Sequence, residues 1–389
     1  TDGVYVRALP IGYDASMEKL LTSVAGSSPP DLCGLDGTIM IQLASRGCFM
    51  VLDDFLESHP HLRKEAYFPY MWDSVCIGGH AYGVPTTTDT YCLLWNKGAF
   101  RRAGLDPNRP PRTLEELVEY AARLTIQDES GIKQIGFLPW QPWDHSQMWG
   151  AVFGGSWYDE SSGRLVGSRD PNILRSLEWQ ATFAVDPNAS VQPAHALDPE
   201  KVMTFSQNFG AYMSANNAFY TGKLAMTVEG EWQCKFIPRF APDLDWGVAP
   251  IPAPEGGEPI AYSPTCIADC VPRGCRHPEA VFQFLKWFHT PRPDGRPSPA
   301  SDYNYAIQNI PVRPEEARQP RFLENPKFKV FVDVLFTSRV VSVPSISEAQ
   351  YMYDELDFQR ERVVLHEVSP EQALGCLLYT SPSPRDRTR

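Results

Sequence analysis

The run Tyr91-Cys-Leu-Leu-Trp95 constrains this chain more than any other stretch. Five successive residues without a charge leave no polar face for water, which is the pattern of a strand covered on both sides. Val84-Pro85 ends the segment before it, because the proline ring drives the preceding residue out of the helical region. Downstream, Pro110 and Pro111 exclude a helix. Thr113 then stands as an N-cap with Glu116 three residues on, the spacing of a capping box. Leu114, Leu117, Ala121 and Leu124 follow at helical spacing and give that helix one apolar face. A covered strand feeding an amphipathic helix is the unit from which α/β proteins are built.

At 389 residues the chain can hold two domains with sizeable cores. Its formal charge of −12 repels phosphate backbones and anionic lipid, which argues against nucleic-acid and membrane-surface partners. No run approaches the 18 or more apolar residues of a membrane-spanning helix. Prolines number 36, nearly twice the usual share, so many fixed loops and crossings are expected. Nine cysteines leave at least one unpaired. Cys266, Cys270 and Cys275 lack zinc-site spacing and read as small buried hydrophobes, with room for one disulfide in the chain. Free thiols are a liability in an oxidising compartment, so the count weighs mildly against an extracytoplasmic location.

Chemistry-bearing motifs are absent. The chain has no G-x-x-x-x-G-K-[ST], G-x-G-x-x-G, H-E-x-x-H or G-x-S-x-G pattern, and its histidines are scattered. Tyr351 and Tyr353 make too thin a tyrosine cluster for a ferric site. No metal or cofactor is therefore expected. An enzymatic reading must lean on Glu229 and Glu231, which flank Gly230 and approach the carboxylate spacing that glycosidases use.

The order of motifs points further. Tyr82-Gly-Val-Pro85, the apolar run ending in Trp95-Asn-Lys97, Ala99-Phe-x-x-Ala-Gly-Leu-Asp-Pro107 and Pro110-Pro-Arg-Thr-Leu-Glu-Glu-Leu117 resemble family 1 extracellular solute-binding proteins of ABC transporters. These are the sugar-binding, maltose-binding-protein-like receptors. Gly47 to Ser58 (GCFMVLDDFLES) is similar to that family's G-x-L-x-P-L-D-D-F passage, and Ala218 to Trp232 (AFYTGKLAMTVEGEW) to its F-x-x-G-K-A-A-M-x-x-x-G-x-W. The resemblance implies a bilobal periplasmic-binding-protein-like fold of type II, two α/β lobes joined by crossing hinge strands. Lobe 1 would comprise residues 1–98 and 250–310, and lobe 2 residues 99–249 and 311–368. Hinges would fall near 96–100, 246–252 and 310–314. It also implies that a first strand and helix precede Thr1, with Val4–Pro10 as the second strand. Residues 369–389 are expected to be a tail; from about Leu377 the sequence LLYTSPSPRDRTR resembles translated adapter sequence and is expected to be disordered.

In such a receptor Trp232 would stack on the bound solute from lobe 2. Its residue-level alternative is a helix-start aromatic packed on the strand. Trp140 and Trp143 lie in a proline-containing loop, where they either line the cleft or fold onto lobe 2. Asp36 is either an acceptor for a sugar hydroxyl or a turn residue before Gly37. Thr87 and Asp89 would contribute from lobe 1 and its crossing, and Tyr262 and Ser263 would donate hydrogen bonds. Local signals add a helix over Ala15–Ala25, one over Pro171–Phe183, a helix ending at Gly222, a strand over Leu224–Val228, and buried Phe328, Phe331, Val332 and Leu335. The implied function is capture of a sugar or oligosaccharide by hinge closure and its delivery to an ABC permease. The receptor is expected to be a monomer, periplasmic or extracellular, with or without a lipid anchor. The alternative is a carbohydrate-active hydrolase using Glu229 and Glu231.

Overall fold

A computed structural model describes residues 3–11, 13–142, 146–159 and 161–380. They fall into two compact units, one drawn from residues 1–90, 263–325 and 342–350, the other from 91–262, 326–341 and 351–389.

The first unit is built on a four-stranded sheet in the order Cys33–Asp36, Cys266–Cys270, Val84–Thr88, Ile310–Pro311, with every neighbour antiparallel. The helices Tyr13–Ala25, Gly37–Ser45, Pro278–His289 and Pro299–Ile307 belong to this unit. The helix Gly37–Ser45 starts where it does because Asp36 caps it, accepting from the Thr38 amide at 3.0 Å. Its Met40, Ile41 and Leu43 are fully buried.

The second unit is organised around the strand Tyr91–Asn96. Met226–Gly230 pairs along it antiparallel, as do Trp246–Ala249 and, at Tyr262, the strand Ile260–Tyr262; Arg339–Val341 completes the sheet parallel to Ile260–Tyr262. Cys92, Leu93 and Leu94 have no exposed surface and Trp95 has 4%, so the run is covered on both faces as expected. Around it lies a core that includes Phe100, Leu117, Leu124, Phe137 and Trp149. Leu114–Leu124 is helical, and Thr113 accepts from the Glu116 amide at 3.2 Å. Only half of the capping box forms, because the Glu116 carboxylate takes the amide of Arg112 at 2.8 Å and also pairs with Arg109. Phe328, Phe331, Val332 and Leu335 are buried on the helix Pro326–Thr337.

Several expectations are corrected. Val4–Pro10 joins no sheet among the described residues, and Tyr5, Val6 and Leu9 are exposed; an apolar run becomes a strand only through ladder pairing. The segment before Gly222 is a series of turns instead of a helix, although Gly222 does adopt the left-handed φ of +73°. The strand after it is Met226–Gly230, two residues later than expected. The chain passes between units after Thr90, Tyr262, Asn325, Val341 and Gln350. The expected hinges near 96–100, 246–252 and 310–314 differ for one reason. Asn96 and Trp246–Ala249 are paired within one sheet of the second unit, Lys97–Arg102 is helical, and Ile310–Pro311 pairs with Val84–Thr88 within the first unit, so no change of unit falls there. Part of the expected tail is also ordered: Pro370–Thr380 is a helix whose Leu374 packs with Trp157, Ile173 and Leu356. Residues 381–389 lie outside the described residues.

Candidate ligand-binding site

In the second unit the strand Met226–Gly230 delivers the chain to Trp232, which immediately precedes the helix Gln233–Phe240. Gly230 is required at the turn. A Cβ there would lie 2.1 to 2.5 Å from three atoms of the Trp232 ring, so the indole rests directly on the backbone. The ring is half-buried, with Tyr91 meeting it edge-on at a centroid separation of 5.6 Å. Its Nε1–H donates to the Tyr212 hydroxyl at 2.5 Å, and Gln233 Nε2 donates to the same oxygen at 3.2 Å. The Tyr212 hydroxyl itself donates to Glu229 Oε2 at 2.7 Å. Gln233 is held in turn by the Tyr220 hydroxyl at 2.5 Å. A chain of bonds of this kind polarises each member and fixes ring orientation. The result is a preoriented aromatic surface backed by a carboxylate that has only 3% exposure.

Tyr262 stands beside this surface: its ring is 5.9 Å from Tyr91, and its hydroxyl shares a 2.8 Å bond with that of Tyr353. Trp140 is half-buried, packed edge-on against Phe183 with the Arg360 guanidinium 5.6 Å over its ring. Trp143 lies outside the described residues.

In the first unit the sheet register collects the remaining candidates. Asp36 and Thr87 both pair with Ile267, from opposite sides, so the three form one row across the strands. Opposed residues of antiparallel strands point to the same face. Asp36 accepts from Thr38 Oγ1 at 2.8 Å, and Thr38 also reaches Gln350 Oε1 at 2.9 Å. Burial pushes the Asp36 carboxyl above its ordinary range, with the Thr38 bonds pulling the other way. Thr87 Oγ1 is buried and has no hydrogen-bond partner among the described residues. Asp89 accepts from Asn309 Nδ2 at 2.8 Å. Ser263 is fully buried and spends its hydroxyl on Thr88 at 2.8 Å.

Sequence reasoning missed Tyr212, Gln233, Tyr220 and Asn309. Tyr212 sits in Gly210-Ala-Tyr-Met-Ser, a loop without periodicity 20 residues before Trp232. The one available hint was a tyrosine just upstream of the Ala218–Trp232 motif. Among the described residues no helix is long and apolar enough to cross a membrane. Nor does any group of three or more His, Cys, Asp and Glu gather to hold a metal ion among them.

A family model described as bacterial extracellular solute-binding protein matches residues 2–293. The chain belongs to that family. Among solved structures it is similar to CpMnBP1 with mannotriose bound, at 28% identity and a TM-score of 0.81, covering 97% of this chain and 92% of that one. The form with mannobiose bound gives a TM-score of 0.79 at the same identity, covering 93% and 86%. The sugar-binding protein MalE from the phytopathogen Xanthomonas citri shares the fold, at 22% identity, a TM-score of 0.72 and coverage of 96% and 88%. A curated relative, the sn-glycerol-3-phosphate-binding periplasmic protein UgpB of Escherichia coli (strain K12), is 34% identical over 122 residues, 30% of this chain. That match spans 27% of the relative's own length. The fold is thus a mixed α/β solute-binding fold, and the family is one of extracytoplasmic receptors without catalysis. The hydrolase alternative falls with this. Glu229 and Glu231, at 3% and 0% exposure, are buried in the sheet and its turn, and Glu229 is engaged by Tyr212.

Proposed function

We propose that this protein is the receptor of an ABC importer, of periplasmic-binding-protein-like type II architecture, that captures a neutral sugar or oligosaccharide and delivers it to the permease. Hinge closure commits the solute. Trp232 is the principal stacking ring, with Tyr91 and Tyr212 beside it. Trp140 extends the aromatic surface, and Tyr262 borders it. Asp36, Thr87 and Asp89 provide the polar share from the first unit, while Ser263, buried against Thr88, supports the strand beneath them. The receptor acts as a monomer outside the cytoplasmic membrane.

The observation that carries this reading is the fixed indole of Trp232. Sugar C–H faces stack well on such a ring, and a ring held through Nε1 loses little freedom on binding. The likeness to CpMnBP1 with mannotriose bound supports the oligosaccharide assignment. Calorimetry and thermal melting against mannobiose, mannotriose, maltotriose, sn-glycerol 3-phosphate and amino acids test it. A ligand at one hundred times its Kd stabilises by about 2.7 kcal/mol, so a binder reveals itself as a rise in Tm. A neutral oligosaccharide is expected to give that rise and Trp232→Ala to abolish it. A response to amino acids or glycerol phosphate alone would overturn the assignment.

A further inference from the structure

The strand register places Cys33 directly opposite Cys270 on adjacent antiparallel strands of the first unit. We infer that these two thiols are an oxidisable pair, joined as a cross-strand disulfide by a thiol–disulfide oxidant in the compartment where this family works. Opposed residues in an antiparallel pair have Cα atoms about 4.5 to 5.5 Å apart, inside the disulfide range of about 4.4 to 6.8 Å. Their side chains point to the same face. Cys33 Sγ already leans across, 3.6 Å from the carbonyl oxygen of Cys270. Cys270 Sγ sits on the other side, 3.1 Å from where a Cβ on Gly83 would be. Closing the bond requires the Cys270 side chain to turn away from Gly83 toward Cys33. Both thiols are free in this structure.

The other cysteines do not compete equally. Cys266 lies four residues along the same strand, about 13 Å away, and its sulfur is 3.1 Å from Ser74 Oγ. Cys92 and Cys234 are both buried in the second unit, where Cys92 faces Glu229 across the ladder; they form the pair against which the assignment is tested. Burial pushes the Cys33 and Cys270 thiols well up, so the folded pair exchanges slowly and the bond forms as the sheet assembles. The chemistry balances without another reactant. Cys33, the more exposed of the two, attacks the oxidant's disulfide as thiolate and expels one thiol. Cys270 then attacks Cys33 Sγ and expels the second. Two protein thiols lose two protons and two electrons, and one oxidant disulfide becomes two thiols.

The test uses the full chain refolded from denaturant with oxidised and reduced glutathione, quenched with an alkylating agent, digested and read by mass spectrometry. The expected product is a peptide pair joining Cys33 to Cys270, absent after dithiothreitol. Tm should rise by several degrees in the oxidised protein, and the rise should vanish in Cys33→Ser. Alkylated Cys33 and Cys270, a glutathione adduct on Cys33 without the link, or a Cys92–Cys234 link in its place would each overturn the proposal. Sugar affinity need not change, so this outcome is independent of the receptor reading.

Discussion

Replacing Gly230 with alanine probes the candidate site through its backbone. The added methyl would lie 2.1 Å from one atom of the Trp232 ring and 2.3 and 2.5 Å from two others. That is an ångström or more short of the about 3.5 Å at which carbon atoms pack. A rigid indole offers no flexible end to swing aside, so the whole ring must move. Moving it by an ångström stretches the 2.5 Å bond from Nε1 to Tyr212 out of hydrogen-bond range. Overpacking of this kind costs about 1–3 kcal/mol, and the lost bond about 1 kcal/mol more. The expected result is a lower Tm, a shifted tryptophan emission maximum and a loss of oligosaccharide affinity larger than ten-fold by calorimetry. The reasoning is refuted if Gly230→Ala binds the oligosaccharide as wild type does while its emission is unchanged. In that case the ring does not depend on this backbone approach.

Tyr212→Phe removes the oxygen that accepts from Trp232 and Gln233 and the proton that Glu229 accepts; about 1–3 kcal/mol of stability should be lost, with weaker sugar binding, both read by melting and calorimetry. Asp36→Asn keeps a capping oxygen for Thr38 and removes a carboxylate whose folded value is raised by burial. A raised value means that the wild type is favoured below the ordinary carboxylate range and loses that advantage as pH rises through the folded value. The variant should therefore gain on wild type in melts taken from pH 3 towards neutral, while its oligosaccharide affinity falls roughly ten-fold, about 1.4 kcal/mol. Unchanged affinity would leave Asp36 as a capping residue alone. Leu117, with no exposed surface, should cost about 2–5 kcal/mol when changed to alanine, and Thr113→Ala about 1 kcal/mol through its cap; chemical denaturation separates the two.

Much of the second unit was legible because its signals are local. Five uncharged residues marked the Tyr91–Asn96 strand. A threonine and a glutamate three apart marked the start of the Leu114–Leu124 helix. The place of Trp232 at a helix start was legible through the motif that precedes it. What failed was whatever depends on pairing across the sequence. Val4–Pro10, a strand by resemblance alone, joins no sheet among the described residues, and the residues at which the chain changes unit follow from ladders between segments more than 100 residues apart. Tyr212 and Asn309 escaped for the same reason, since a loop tyrosine becomes a ring anchor only when the fold sets an indole against it. The half-formed capping box shows the limit on a small scale: Glu116 had a choice of amides, and the pairing with Arg109 drew it to Arg112.

The strand order of the first unit bears on how the molecule is made. Cys266–Cys270 lies between Cys33–Asp36 and Val84–Thr88, which do not touch each other. A polypeptide synthesised and threaded from its amino end therefore holds two strands of this sheet for more than 170 residues before the piece that joins them arrives. The loop to be closed is long, and such closures are slow. Until then the ladder of this sheet cannot close, so maturation of this half is timed by the emergence of the strand Cys266–Cys270.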